Sequence, residues 1–247
     1  MFGSLILLML VFYTFNVISA LGLDNMKQLE EEVRAAGYAV VKDVAELNEI
    51  DGTTGLTPLM YAAIHGEREK VKSFLVAGAR VDVVNSKGDT ALIMAVQHGQ
   101  YSIVEELLKA PSANLYQRNG LGANILHVAI ARGVDVMVHA ILYHDLNRRS
   151  NSAEEYGKES TPLVDTPLEG SSKMTGLMMA CQMGKTDIAE TIIGVGANLN
   201  LQTPSGETAL MYASLIGHAR IVKLLLSSGA VVRGQKASPP EPLPKRP

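Results

Sequence analysis

A period of about 33 residues runs through most of this chain, and no other feature constrains its fold as strongly. Gly55 and Gly88 are 33 residues apart, as are Gly66 and Gly99. The stretch "GLTPLMYAAIHG" from Gly55 returns as "GDTALIMAVQHG" from Gly88 and as "GETALMYASLIG" from Gly206. A weaker copy starts at Gly122, 34 residues after Gly88, and another at Met174, whose Gly184 precedes Gly217 by 33. Five units therefore share one frame between residues 55 and 232. A fixed period in this range marks a chain built from stacked supersecondary units, each too small to bury its own apolar face.

Each unit reads as two short helices. The first carries small apolar residues at its centre, as in Leu59, Ala62 and Ala63 or Leu210, Ala213 and Ser214, which lets neighbouring helices approach closely. A glycine (Gly66, Gly99, Gly133, Gly184 or Gly217) then permits a tight turn. The second helix holds larger apolar side chains at helical spacing: Val71, Phe74 and Leu75; Ile103, Val104, Leu107 and Leu108; Ile221, Leu224 and Leu225. Gly78-Ala79, Gly196-Ala197 and Gly229-Ala230 close it.

These motifs resemble the ankyrin repeat family. "TPLMYAA" from Thr57 and "TALMYA" from Thr208 stand for the family's Thr-Pro-Leu-His-x-Ala-Ala, and "GANLN" at 196–200 for its Gly-Ala-Asp-Val-Asn. The resemblance implies an all-α fold, a solenoid of stacked helix-turn-helix units with short β-turn connections.

Composition sets outer bounds. Hydrophobic residues make up 47% of the 247, enough for a substantial core, but with no Trp and only 4 Phe the packing falls to aliphatic side chains. A net charge of −3 argues against nucleic-acid binding by electrostatics alone. The single cysteine, Cys181, excludes an intramolecular disulfide and a Cys-rich metal site. Met1 to Leu23 contains no charged side chain. Its apolar centre and the small residues Ser19, Ala20 and Gly22 match a secretory signal peptide, although the n-region lacks Lys and Arg. The same length suffices for an uncleaved membrane anchor. Lys27 and Arg34 follow it, so an anchored chain is expected to keep the remainder in the cytosol. Residues 1–23 thus point to the secretory pathway, secreted or membrane-anchored, with a tethered cytosolic domain as the alternative.

Four further segments follow from the pattern. Residues 24–50 are expected to form a degenerate capping repeat, polar at Glu30, Glu31, Glu32 and Arg34, or a plain amphipathic helix pair. The repeat domain covers 51–232. Gly133 and Gly184 are 51 residues apart, and the excess is expected as a flexible loop over about 144–173, a tolerated surface insertion. In the unit that follows, Lys173 takes the glycine position and Gly176 the proline position, so its first helix is expected to start less crisply. Residues 233–247 carry five of the ten prolines and are expected to be a disordered tail with two bare P-x-x-P spacings.

No catalytic arrangement is legible. Gly184-Lys185-Thr186 resembles the end of a phosphate loop, but Met179 stands where that loop needs its first glycine, and no strand precedes it. His65 and His98 share a repeat position without further ligands, and His127 sits at the family's own histidine position, expected to bond backbone in the turns. Cys181 occupies a packed small-residue site. The resemblance implies instead a non-catalytic module that binds a protein partner through a concave face of turn tips and first helices. No cofactor, metal, small-molecule substrate or nucleic acid is expected, and the chain is expected to be monomeric. On the first helices the candidate contacts are Ile64, His65, Gln97, His98, Ala131, Arg132, Gln182, Met183, Leu215 and Ile216, with Ile64, Leu215 and Ile216 as exposed anchors. At the turns they are Leu56, Ser86, Lys87, Asp89, Ser205 and Glu207. A scaffold role at a membrane or as an enzyme's regulatory subunit is the alternative.

Overall fold

The computed structural model describes residues 46–151 and 161–232. Ten α-helices and no strand occur among them. The apolar segment 1–23, most of the expected capping repeat and the tail 233–247 lie outside the described residues. Contacts divide the chain into two units at Asn114/Leu115.

The first unit contains α1 (Pro58–His65), α2 (Arg68–Val76), α3 (Ala91–Gln97) and α4 (Tyr101–Leu108). In it α1 packs on α3 and α2 on α4, and each first helix also packs on its own second helix. The second unit contains α5 (Ile125–Arg132), α6 (Asp135–Asn151), α7 (Gly176–Gln182), α8 (Thr186–Gly194), α9 (Ala209–Ile216) and α10 (Ala219–Ser227). Here α5, α7 and α9 stack in order, as do α6, α8 and α10. First helices thus stack on first helices and second on second, as the period demands. Alanine makes this possible: Ala62, Ala63, Ala129, Ala180 and Ala213 are all buried on first helices, while Val71, Ile103, Leu107, Ile188 and Leu225 fill the second layer.

Local chemistry sets the helix ends. Thr57, Thr90, Asn124, Thr175 and Thr208 each cap a first helix, their side-chain oxygen accepting the amide of the residue three on at 3.1–3.4 Å. Thr175 therefore starts α7 as cleanly as the other caps start theirs, and the weaker start expected there is corrected; the cap depends on the threonine, not on the proline that Gly176 replaces. At the other end, the amides of Glu67, Gln100, Lys185 and His218 reach back to the carbonyls of Ala62, Ala95, Ala180 and Ala213 at 2.9–3.0 Å, a closure that needs a left-handed residue at the turn. Gly184, at φ +68°, is one such residue. It is held to glycine twice over, because a Cβ there lies 2.5 Å from the ring of His218, one repeat further on. Lys185 stands in the same relation to Gly133, with Nζ 2.8 Å from where a Cβ would be.

The turns between units follow one plan. Asn85 and Asn119 accept amides of their own turn through Oδ1, and Thr203 does so through Oγ1. A second contact clasps the foot of three turns to the next repeat. Asn48 accepts the Arg80 amide at 2.7 Å, Asp165 that of Asn198 at 2.8 Å and Asn200 that of Val231 at 2.8 Å.

That clasp explains where the structure departs from the loop expected over 144–173. Helix α6 runs on to Asn151, with Asp145 buried and accepting the Tyr116 hydroxyl at 3.0 Å. After the undescribed residues 152–160, Leu163–Asp165 form a 3-10 turn in which Leu163 and Val164 are buried. Asp165 then plays the part that Asn200 plays one unit later. Arg118 donates to the carbonyls of Gly122 and Pro167 at 2.9 and 2.8 Å, fastening this connector to the preceding turn. Residues 161–173 are thus an ordinary repeat connector whose apolar pair and acidic clasp the polar composition had masked.

Lys173 is the one non-glycine residue with positive φ, +44°, among the described residues, at the position held by Gly55, Gly88, Gly122 and Gly206 in the other units. Its side chain is exposed. A left-handed backbone costs a residue with a Cβ about 1–2 kcal/mol, and glycine loses part of that gain to its larger unfolded-state entropy. Lys173→Gly is therefore expected to stabilise the protein by about 0.5–1 kcal/mol in urea unfolding, and a destabilised variant would contradict this account.

Candidate functional site

The ends of the first helices and the turn tips carry the candidate contacts, and the structure sorts them. In the first unit His65 is exposed with its ring 4.3 Å from that of Tyr61, itself 47% exposed. His98 is exposed and bonds the Met94 carbonyl through Nδ1 at 2.9 Å. The two histidines thus have separate local partners, and no cluster of three or more potential metal ligands occurs among the described residues. Ser86 and Lys87 are exposed at the tip of the Asn85 turn, and Leu56 is half-buried at the start of α1.

Two expectations here are corrected. Asp89 is buried, 4% exposed, because its carboxylate turns inward to accept Gln97 Nε2 at 3.1 Å. It supports Gln97 and is not itself a free contact. Ile64 is half-buried, not an exposed anchor, and Gln100 Nε2 covers its carbonyl at 3.0 Å.

The second unit presents a more apolar set. Ala131, Arg132 and Gln182 are exposed. Met183 is 41% exposed, Ile216 48% and Leu215 85%, the last being the most exposed large apolar side chain of the described residues. Ser205 and Glu207 are exposed beside them. The Glu207 carboxylate accepts the Tyr212 hydroxyl at 2.7 Å and the Ser205 hydroxyl at 3.2 Å. Those bonds, that of Tyr212 first, hold its pKa below the usual carboxylate value, and Tyr212 in return is raised to about 12.

Sequence reasoning missed three residues at these surfaces. Tyr61 and Tyr212 both occupy the variable position of Thr-Pro-Leu-His-x-Ala, and that shared place was the available signal. Leu121, 82% exposed, projects from the Asn119 turn, where hydrophobicity alone had no reason to mark it.

The titratable groups of the interior are structural. His127 is 1% exposed, its Nδ1 accepting the Asn124 amide at 3.3 Å while Asn124 caps the His127 amide in return. Burial, with the Arg118 guanidinium adding to it, lowers its pKa to about 4. Its expected role of bonding backbone is met at the helix start. Burial likewise raises the Cys181 thiol to about 12. Cys181 is expected to be inert to Ellman's reagent at pH 8 in the native protein and to react once urea unfolds it; fast native labelling would contradict its packing. Lys185, one of the three residues that resemble a phosphate loop, lies against Gly133.

Comparison with known proteins agrees with this geometry. A family model described as ankyrin repeats (3 copies) matches residues 32–119 and 158–236. The chain belongs to the ankyrin repeat family. The first matched region of this ankyrin repeat protein starts upstream of Gly55. Similar proteins include a probable E3 ubiquitin-protein ligase, XBOS32, of Oryza sativa subsp. japonica, 29% identical over 180 residues, which are 71% of this chain and 31% of that protein. Also similar is a B-cell lymphoma 3 protein homolog of Mus musculus, 29% identical over 177 residues, 70% of this chain and 36% of the other. A transient receptor potential cation channel subfamily A member 1 homolog of Caenorhabditis elegans is 25% identical over 176 residues, 71% and 13%. The chain thus spans about a third or less of the length of these relatives. Their named activities differ while the repeats recur, so the shared part is the repeat framework and not one chemistry.

Proposed function

We propose that this ankyrin repeat protein is a non-catalytic recognition module that binds a protein partner through the exposed ends of its first helices and its turn tips. The observation that supports this most is the placement of Met183, Leu215 and Ile216. They stand where the repeat needs no buried side chain, yet they are large, apolar and open to solvent. Exposed apolar side chains gathered among polar ones are what a binding surface supplies as anchors. His65, His98, Gln97, Arg132 and Gln182 are the polar contacts of the same reading, with Ser86, Lys87 and Ser205 at the tips. The module acts as a monomer and needs no cofactor.

The test is proximity labelling with the full chain beside a Met183→Glu/Leu215→Glu double variant. The reading expects a discrete set of proteins labelled by the parent and lost with the variant, at unchanged stability. An identical labelled set would sink it.

Residues 1–23 add a second layer, supported by 23 positions without a charge. They direct the chain to a membrane, as a cleaved signal or a retained anchor that would make it a tethered scaffold. N-terminal sequencing of the protein from its own cells decides: a start near Leu21 means secretion, an intact Met1 in the membrane fraction means a tether. An intact Met1 in the soluble fraction removes both. Among the described residues no helix is long and apolar enough to cross a membrane.

A further inference from the structure

The last repeat holds a carboxylate and an apolar wall side by side. Glu207 stands at the end of the turn that leads into α9, and Tyr212, Met211, Ser214 and Leu215 line a shallow cavity of about 440 Å³ beside it. Three hydroxyls converge on Glu207 Oε2: Tyr212 at 2.7 Å, Ser205 at 3.2 Å and Thr203 at 3.4 Å. The turn itself fixes Thr203, whose amide donates to the Glu207 carbonyl at 3.0 Å and whose Oγ1 accepts the Glu207 amide at 3.1 Å. All three donors are neutral, so the carboxylate is oriented without its charge being cancelled. No ion pair to Glu207 occurs among those of the described residues, whereas Glu106 of α4 is bridged by both Arg68 and Lys109.

An oriented, unneutralised carboxylate beside exposed hydrocarbon selects for a particular ligand. Leu215 contributes the wall, and Ile216 and Met183 hold the same place on successive first helices. A lone cation gains little from an exposed carboxylate. A cation carried next to large apolar side chains gains both contacts at once, and covering the carboxylate with hydrocarbon strengthens the ion pair. An acidic segment is excluded by like charge.

We infer that Glu207, Tyr212 and Leu215 form a docking site for a short segment of a partner protein that places an Arg or Lys directly beside one or two large aliphatic or aromatic side chains. This rests on the proposed recognition role and names the chemistry of the partner it would take.

The experiment selects a random twelve-residue phage-displayed peptide library on the full chain, then measures selected peptides by fluorescence anisotropy against variants. The expected result is a consensus pairing Arg or Lys with Leu, Ile, Met or Phe. Its affinity should fall at least tenfold with Glu207→Gln and with Leu215→Ala, and stay within twofold with Lys70→Ala on helix α2 of the other unit. Tyr212→Phe, which keeps the ring and removes the donor, should give an intermediate loss. Acidic or uncharged consensus peptides, no enrichment, or binding indifferent to Glu207→Gln overturns the inference. Peptides that bind through the first unit alone overturn it too, while leaving the recognition role standing. Two further arms address the chain itself: saturable binding of a synthetic 233–247 peptide, or concentration-dependent dimers lost with Leu215→Ala, shows that the site serves this chain and not a partner.

Discussion

Truncation of Leu126 to Ala will lower the unfolding free energy of the second unit by about 3 kcal/mol. Leu126 is fully buried on α5, facing α7. A Cβ on Gly176, the first residue of α7, would lie 3.6 Å from Leu126 and 2.8 Å from Ile130. The two helices therefore meet where one of them has no side chain. Removing the isobutyl group leaves a hole bounded on that side by backbone, and Gly176 has nothing to move into it. Incomplete collapse places the cost well inside the range for leucine truncations. Leu121→Ala, at a residue 82% exposed, should change stability by no more than about 0.5 kcal/mol. Urea unfolding followed by circular dichroism measures both, and amide exchange of 115–232 localises the loss. A cost below about 1 kcal/mol for Leu126→Ala would show that the α5–α7 contact closes the gap.

Acid will destabilise the same unit through His127. Its pKa is about 4 in the folded protein against an ordinary 6.5 when unfolded. Between those values the unfolded chain holds a proton that the folded chain refuses. His127 thus contributes its full share of stability above pH 6.5, loses it as the pH falls towards 4, and loses no more below that. The loss amounts to about 3 kcal/mol. Asp145 and Asp165, raised by burial, act in the opposite sense and gain stability as acid is added. The diagnostic is accordingly a difference: stability against pH for the parent minus that for His127→Gln, a side chain that does not titrate. The parent should fall more steeply from pH 6.5 to 4. Parallel curves would mean that the buried imidazole takes up its proton without cost.

Those two residues also show which parts of the structure were legible beforehand. Leu126 and His127 belong to a motif whose period names every helix, and the caps are written three residues ahead of the amides they serve. Chemistry that local survives in a bare sequence. The fate of Asp89 did not, because a polar residue at a turn looks alike whether it faces water or Gln97. Ile64 was misread for a related reason, since Gln100, which bonds its carbonyl, comes from the next repeat. The connector at 161–173 was hidden by composition: its Ser, Thr and Glu content signals a loop, while its role depends on Asp165 finding an amide 33 residues away. The exposed set Met183, Leu215 and Ile216 was legible because large apolar residues stood at positions with no packing duty. The carboxylate arrangement at Glu207 was not, since it needs Thr203, Ser205 and Tyr212 to converge.

The overlay of one repeat's side chain on the preceding repeat's glycine carries an evolutionary consequence. His218 meets Gly184 across one uninterrupted period, and Lys185 meets Gly133 across 51 residues, yet the fit is the same. The stack reads each neighbour at its turn and does not register how much chain was spent in getting there. Chain added after a second helix can therefore leave this contact between neighbouring repeats in place. New binding surface accumulates by addition, without renegotiating the old.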